Sequence, residues 1–155
     1  MNSINPPGAI AFQPGEALLL PWIEGTVRAG FPSPAADFAE KRHDLNELMI
    51  THPLATFMIK AQGHSMRELG IEDGDTLVCN RAFKGEHGDI VIAEVDGEFT
   101  VKQLYIHNGV AQLRSGNPTF PPIIFKDGQT MAICGVVTWT LKQLKKPHVR
   151  PRRRK

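Results

Sequence analysis

The spacing of apolar positions changes near residue 55, and the change divides the chain into an irregular front and a strand-like body. Beyond that point the runs 55–61, 76–80, 89–95, 98–106, 110–114, 122–125 and 130–141 are rich in Val, Ile, Thr and Phe, the side chains that fit a pleated, half-buried surface. Asp96-Gly97, Asn108-Gly109 and Asp127-Gly128 fall between apolar runs. These dipeptides tolerate the positive φ angles of tight hairpin turns, whose twist matches that of the flanking strands. The pattern predicts a mainly β, partly closed antiparallel body with no long helix after residue 51.

The front of the chain reads differently. Pro6, Pro7, Pro14, Pro21, Pro32 and Pro34 recur with Gly8, Gly15, Gly25 and Gly30, which argues against long regular structure. Phe12, Leu18, Leu19, Leu20, Trp22, Ile23, Val27 and Phe31 make this segment too apolar for a free tail. Residues 1–34 therefore read as a flexible arm that docks on its own body or on a partner. Ser33-Pro34 marks one short helix start. Asp44 to Glu47 has capping-box spacing and predicts a second helix through Ile50, ended by His52-Pro53. The organisation expected is an arm over 1–34, a body over 35–144 and a basic disordered tail over 145–155.

Composition narrows the class. The 155 residues suit one domain, and 41% hydrophobic with 22% charged residues is the balance of a globular chain. Cys79 and Cys134 both sit in apolar runs, so free buried thiols in a reducing cytosol are expected rather than a bridge. Neither has a partner at metal-ligand spacing. The apolar stretch Ala17–Leu20 stops at Pro21, too short to span a membrane, and the start lacks the pattern of a signal peptide. A cytoplasmic location follows as an expectation. The net charge of +2 hides a split, because residues 142–155 hold eight of the 18 basic residues and no acid. Residues 1–141 carry ten basic against 16 acidic side chains, so the overall charge says nothing about the partners of the body.

Few residues suggest chemistry. Ser65 lies in Gly63-His64-Ser65-Met66, just past the first strand of the body. Arg67 replaces the second glycine of a G-x-S-x-G elbow, which removes the α/β-hydrolase reading. Lys102 sits inside the run 98–106, sharing a face with Thr100, Leu104 and Ile106, while Phe99, Val101, Gln103 and Tyr105 occupy the other. Both faces are largely apolar. Lys102 is then either an edge lysine that blocks aggregation or snorkels to water, or a buried amine of lowered pKa able to take a proton from a serine. The residues alone leave both open, and they do not place Ser65 beside Lys102. His64 points away from its neighbour Ser65, and His87 and His107 flank turns, which leaves a Ser-His-Asp arrangement through either one formally open. No metal-ligand cluster is present. Gly70 to Asp75 lacks the spaced acids of a calcium loop, and Asn117-Pro118-Thr119 is barred from glycosylation by its proline.

Taken together, Gly63-His64-Ser65-Met66, Gly74-Asp75, Gly88-Asp89-Ile90-Val91, Val101-Lys102 and Gly135-Val136-Val137 resemble the LexA/UmuD family of self-cleaving Ser-Lys peptidases. The similarity is stronger to the UmuD branch, through Gly30 to Asp37, Asp44-Leu45-Asn46 and His87 to Lys102. It covers roughly residues 22–143. The resemblance implies a LexA C-terminal-domain-like fold, Ser65 as nucleophile, Lys102 as general base, and Ala29-Gly30 as the scissile bond. It also implies a homodimer and no cofactor. Cleavage is expected to be stimulated by a RecA filament on single-stranded DNA. The processed form is expected to serve a UmuC-like, Y-family error-prone polymerase in translesion synthesis during the SOS response. Ala29 agrees with LexA and plasmid-type relatives and departs from the cysteine of UmuD. The arm leaves no room for a helix-turn-helix, so sequence-specific repression is not expected. The basic tail extends past the usual end of UmuD; it is either a solvated tail or a source of weak, salt-sensitive DNA contact.

Overall fold

A computed structural model describes residues 10–11, 15–23, 26–27, 29–30, 40–125 and 130–145. The expected helix start at Ser33-Pro34, the Asp127-Gly128 turn and nearly all of the basic tail lie outside them. Ten strands are present among the described residues: β1 (Ile10–Ala11), β2 (Leu19–Ile23), β3 (Glu40–Asp44), β4 (Thr56–Lys60), β5 (Thr76–Asn80), β6 (Ile90–Val95), β7 (Glu98–His107), β8 (Val110–Arg114), β9 (Ile123–Ile124) and β10 (Met131–Leu141). One helix, α1 (Leu45–Met49), and two short 3-10 turns, Pro53–Ala55 and Arg67–Leu69, complete them. No helix among the described residues is long and apolar enough to cross a membrane.

Eight strands form one sheet in the order β1-β4-β5-β10-β6-β7-β8-β9, antiparallel at every pairing. The mainly β expectation therefore holds, and each body strand falls within a residue or two of its apolar run. At the hairpin turns Asp96 and Gly97 have φ of 51° and 87°, and Asn108 and Gly109 have 48° and 77°. Few residues other than Asn, Asp and Gly accept that left-handed geometry.

The middle of the sheet is buried on both faces, which explains the nearly unbroken apolar run of β6. Ile92 packs with Phe57, Leu77, Cys79 and Met66 on one face. Its neighbours Val91 and Ala93 pack with Leu104, Leu113 and Val136 on the other. On β10 the alternation is reset by a bulge between Ile133 and Gly135, so that Cys134 joins the first cluster and Val136 the second. Two residues opposing one is what a bulge supplies. Both thiols are free and buried, and burial pushes Cys79 up to about 12.

The front of the chain holds more order than its prolines and glycines suggest. β2 pairs with β3 in a separate two-stranded ribbon, with Pro21 opposite Arg42 and Trp22 opposite Lys41. Neither strand is visible in the pattern, because β3 is the charged run Glu-Lys-Arg-His-Asp. A proline is tolerated because a two-stranded ribbon has free edges. β2 is exposed along its length. The predicted cap at Asp44 is present: its Oδ1 accepts from the Asn46 N–H at 3.0 Å and also from the Leu18 N–H at 3.3 Å. One carboxylate thus starts α1 and ties the ribbon to it.

Gly135 tests the two-faced core. A methyl group there would lie 2.9 Å from Cε1 of Phe57, whose ring is fully buried. Gly135→Ala is expected to destabilise the chain by about 1–3 kcal/mol through overpacking, read as a lower urea midpoint. Additional truncation of Phe57 to Leu should recover part of the loss.

Candidate active site

Ser65 stands in the loop that follows β4. Gly63, with φ of 87°, lets the chain turn there, and its N–H donates to Oδ1 of Asp73 at 2.7 Å. One residue beyond Ser65, Met66 is 2% exposed and packs into the first core cluster. Its carbonyl accepts from the N–H groups of Leu69 and Ile71. Ser65 is therefore held between a side chain sunk in the core and a backbone bond to a carboxylate.

Lys102 comes from the middle of β7, paired with Val91. It is only 9% exposed, so the edge-lysine alternative does not describe it. Its Nζ donates to Oγ of Ser65 at 2.9 Å and to the Val101 carbonyl at 3.2 Å. Residues 37 apart in sequence are thus brought into direct contact. Burial holds the amine below the usual lysine value of 10.5, because the charged form loses hydration. Among the described residues no carboxylate pairs with the ammonium to restore it. In the neutral state such an amine can accept the serine proton, which makes the pair chemically competent for Ser-Lys nucleophilic chemistry.

Beside the pair lies a cleft of about 330 Å³ lined by Ile59, Ala61, Ser65, Ile92, Phe99 and Val101, among others. The structure does not bring the expected scissile bond to it. Ala29 and Gly30 are both exposed, neither lines the cleft, and a methyl group on Gly30 would meet nothing within 4 Å.

The histidines have other surroundings. His87 Nδ1 is within 3.0 Å of the Ile106 N–H, and its ring lies 4.8 Å from that of Tyr105. The His107 ring stacks with that of Tyr105 at 6.3 Å between centroids. His64 contributes its carbonyl, which accepts from Asn117 Nδ2 at 3.2 Å. The acids of the 70–75 loop bind within the protein: Asp73 holds Gly63, and Asp75 accepts from the Glu72 N–H and pairs with Lys142 at 3.4 Å. No group of three or more metal-binding side chains occurs among the described residues. Asp73 and Asn117 are contributions that sequence reasoning missed. Loop polar residues take such roles only from tertiary placement, and the signal available was the position of Asp73 beside a glycine and of Asn117 before a proline.

Comparison with known proteins gives a concordant result. The Peptidase S24-like family model matches residues 21–138. Protein ImpA of Salmonella typhimurium is 45% identical over 124 residues, 79% of this chain and 83% of ImpA. Protein SamA of Salmonella typhimurium is 50% identical over 110 residues, covering 71% of this chain and 76% of SamA. The LexA repressor of Xylella fastidiosa is 37% identical over 134 residues, 86% of this chain and 63% of the repressor.

The lowered pKa of Lys102 has a consequence for stability. Below the folded-state pKa the amine is charged in both folded and unfolded chains, and the full cost of burying it is present. As pH rises from that value toward 10.5 the folded state sheds its proton first, so stability rises through this interval. Wild type is expected to gain stability relative to Lys102→Met as pH climbs from 7 toward lysine's ordinary value. Urea midpoints at stepped pH check this, and a constant difference between the two proteins would contradict the lowered pKa.

Proposed function

This chain belongs to the peptidase S24-like family, and from that premise we propose that it is a self-cleaving serine endopeptidase cut between Ala29 and Gly30. The observation that carries the proposal is the 2.9 Å contact between the buried Lys102 amine and Ser65 Oγ. Neutral Lys102 takes the Ser65 proton as Oγ adds to the Ala29 carbonyl carbon. The tetrahedral adduct collapses, the bond to the Gly30 nitrogen breaks, and Lys102 returns its proton to the departing amine. Water then attacks the ester with Lys102 as base, releasing the Ala29 carboxylate and restoring Ser65. Backbone amides near Ser65 hold the oxyanion.

Since Ala29-Gly30 lies outside the cleft, cleavage requires the arm, of the same chain or of a dimer partner, to be carried into it. A RecA filament on single-stranded DNA is the proposed stimulus, acting by favouring that docked state and supplying no catalytic group. The processed form, which begins at Gly30 and carries the body over 35–144, is proposed to join a Y-family translesion polymerase as an accessory subunit in the SOS response. The position of Ala29-Gly30 in open surroundings also favours a second reading, a non-catalytic module that regulates the polymerase through its arm.

Incubation of the purified protein from pH 5 to 11, with mass spectrometry of the products, separates the two. The proposal expects a new N-terminus at Gly30 and a rate that rises with pH and levels once Lys102 is neutral. Ser65→Ala and Lys102→Arg should fold and lose cleavage by about 10³-fold or more, since a guanidinium stays protonated. A histidine base would instead give a rise centred near pH ~6.5. Cleavage of Ser65→Ala at the wild-type rate would sink the peptidase assignment and leave the binding module.

A further inference from the structure

We propose that Asn117 is a positioning residue for the backbone N–H of Ser65, aiming it as an oxyanion donor; the inference rests on the peptidase reading above. The His64 carbonyl accepts from Asn117 Nδ2 at 3.2 Å and, more weakly, from the Arg67 N–H at 3.4 Å. A trans peptide group is planar, with its C=O and N–H pointing in opposite directions. Gripping the carbonyl of His64 therefore fixes the direction of the Ser65 N–H. Among the described residues that N–H donates to no protein acceptor, so it stays available beside Oγ. A hydrogen bond to the carbonyl also polarises the peptide and strengthens its N–H as a donor.

The orientation of the Asn117 amide is dictated by its surroundings. The N–H and Oγ1 of Thr119 lie 3.1 and 2.8 Å from Asn117 Oδ1. A backbone N–H only donates, so the oxygen of the amide must face Thr119 and the nitrogen must face His64. The loop that carries Asn117 is itself seated on the turn after Ser65. The Gly116 carbonyl accepts from the Glu68 N–H at 2.7 Å, and a methyl group on Gly116 would lie 2.6 Å from Cγ of Leu69. Asn117 thus reaches across from a separate loop, 53 residues away in sequence, to a peptide that Gly63 and Met66 hold from either side.

The two ends of the amide allow the role to be separated from simple turn formation. Asn117→Asp keeps an oxygen for Thr119 and removes the donor to His64, whereas Asn117→Ala removes both. Self-cleavage profiles from pH 5 to 11 and melting temperatures would be measured for both variants and wild type. The expected result is a loss of about 10- to 100-fold in the alkaline plateau rate for both, with the melting temperature of Asn117→Asp near wild type. The pH midpoint of Asn117→Ala should stay where Lys102 sets it, because only the direction of a donor is lost. A plateau rate for Asn117→Asp equal to wild type would make Asn117 a turn residue only and overturn the proposal. A moved midpoint with an unchanged plateau in Asn117→Ala would overturn it too, since Asn117 would then act through Lys102. If wild type shows no Ser65-dependent cleavage, the peptidase reading falls and this inference with it. Cleavage by wild type together with an unimpaired Asn117→Asp sinks this inference alone.

Discussion

The rest of the site depends on one desolvated amine. A lysine at 9% exposure with no carboxylate against it among the described residues is an unfavourable group to bury, and the fold is arranged so that it stays buried. β7 runs between β6 and β8 near the centre of the strand order, and its apolar neighbours Leu104 and Val101 pack into opposite core clusters. Val91, the cross-strand partner of Lys102, is fully buried. A one-residue slip of β7 would turn Lys102 to the other face and separate it from Ser65. Register is therefore what turns an ordinary hairpin into a candidate dyad, and the Asp96-Gly97 turn between β6 and β7 fixes that register locally.

What could be read in advance followed from short-range rules. The body strands and two of the hairpin turns were legible because side-chain alternation and positive-φ residues are local properties. The Asp44 cap was legible for the same reason. The bulge at Cys134 was not: the isolated glycine in Met-Ala-Ile-Cys-Gly-Val-Val is compatible with a bulge, but only the pairing with β6 shows that two residues oppose Ile92. The β2–β3 ribbon was missed because Glu40–Asp44 has no strand character of its own and is ordered by Leu19–Ile23. At the site, the apolar surroundings of Lys102 were legible on its strand, while its contact with Ser65 depends on how a loop and a hairpin 37 residues apart come together. The roles of Asp73 and Asn117 did not follow from their turn-like sequence positions for that reason: each acts on a backbone group distant in sequence, at Gly63 and His64.

The loop that presents Ser65 is held rigidly although it has no regular structure. Met66 anchors it in the core, Asp73 holds its entry, and the turn at 116–120 closes over its exit. Groups that must meet a reacting carbonyl to within fractions of an ångström gain from such fixing, because less ordering remains to be done during the reaction. The arm has the opposite character. Its β2 is exposed, and Leu19, Trp22 and Ile23 are each about half exposed, so little apolar burial restrains the segment that precedes Ala29.

On the peptidase reading, that contrast divides control of the reaction into two conditions with one physical cause. The proton on Lys102 must leave, and the bond at Ala29-Gly30 must enter the cleft. An arm that occupies the cleft displaces water from beside Phe99, Val101 and Ser65. Removing that water weakens hydration of the ammonium and lowers its pKa further. Docking therefore delivers the substrate and favours the basic form of Lys102 in the same event. By linkage the converse also holds: a neutral Lys102 makes the apolar arm easier to dock, because no charge remains to be desolvated. Raised pH and a partner that favours docking then act on one coupled equilibrium, from opposite ends.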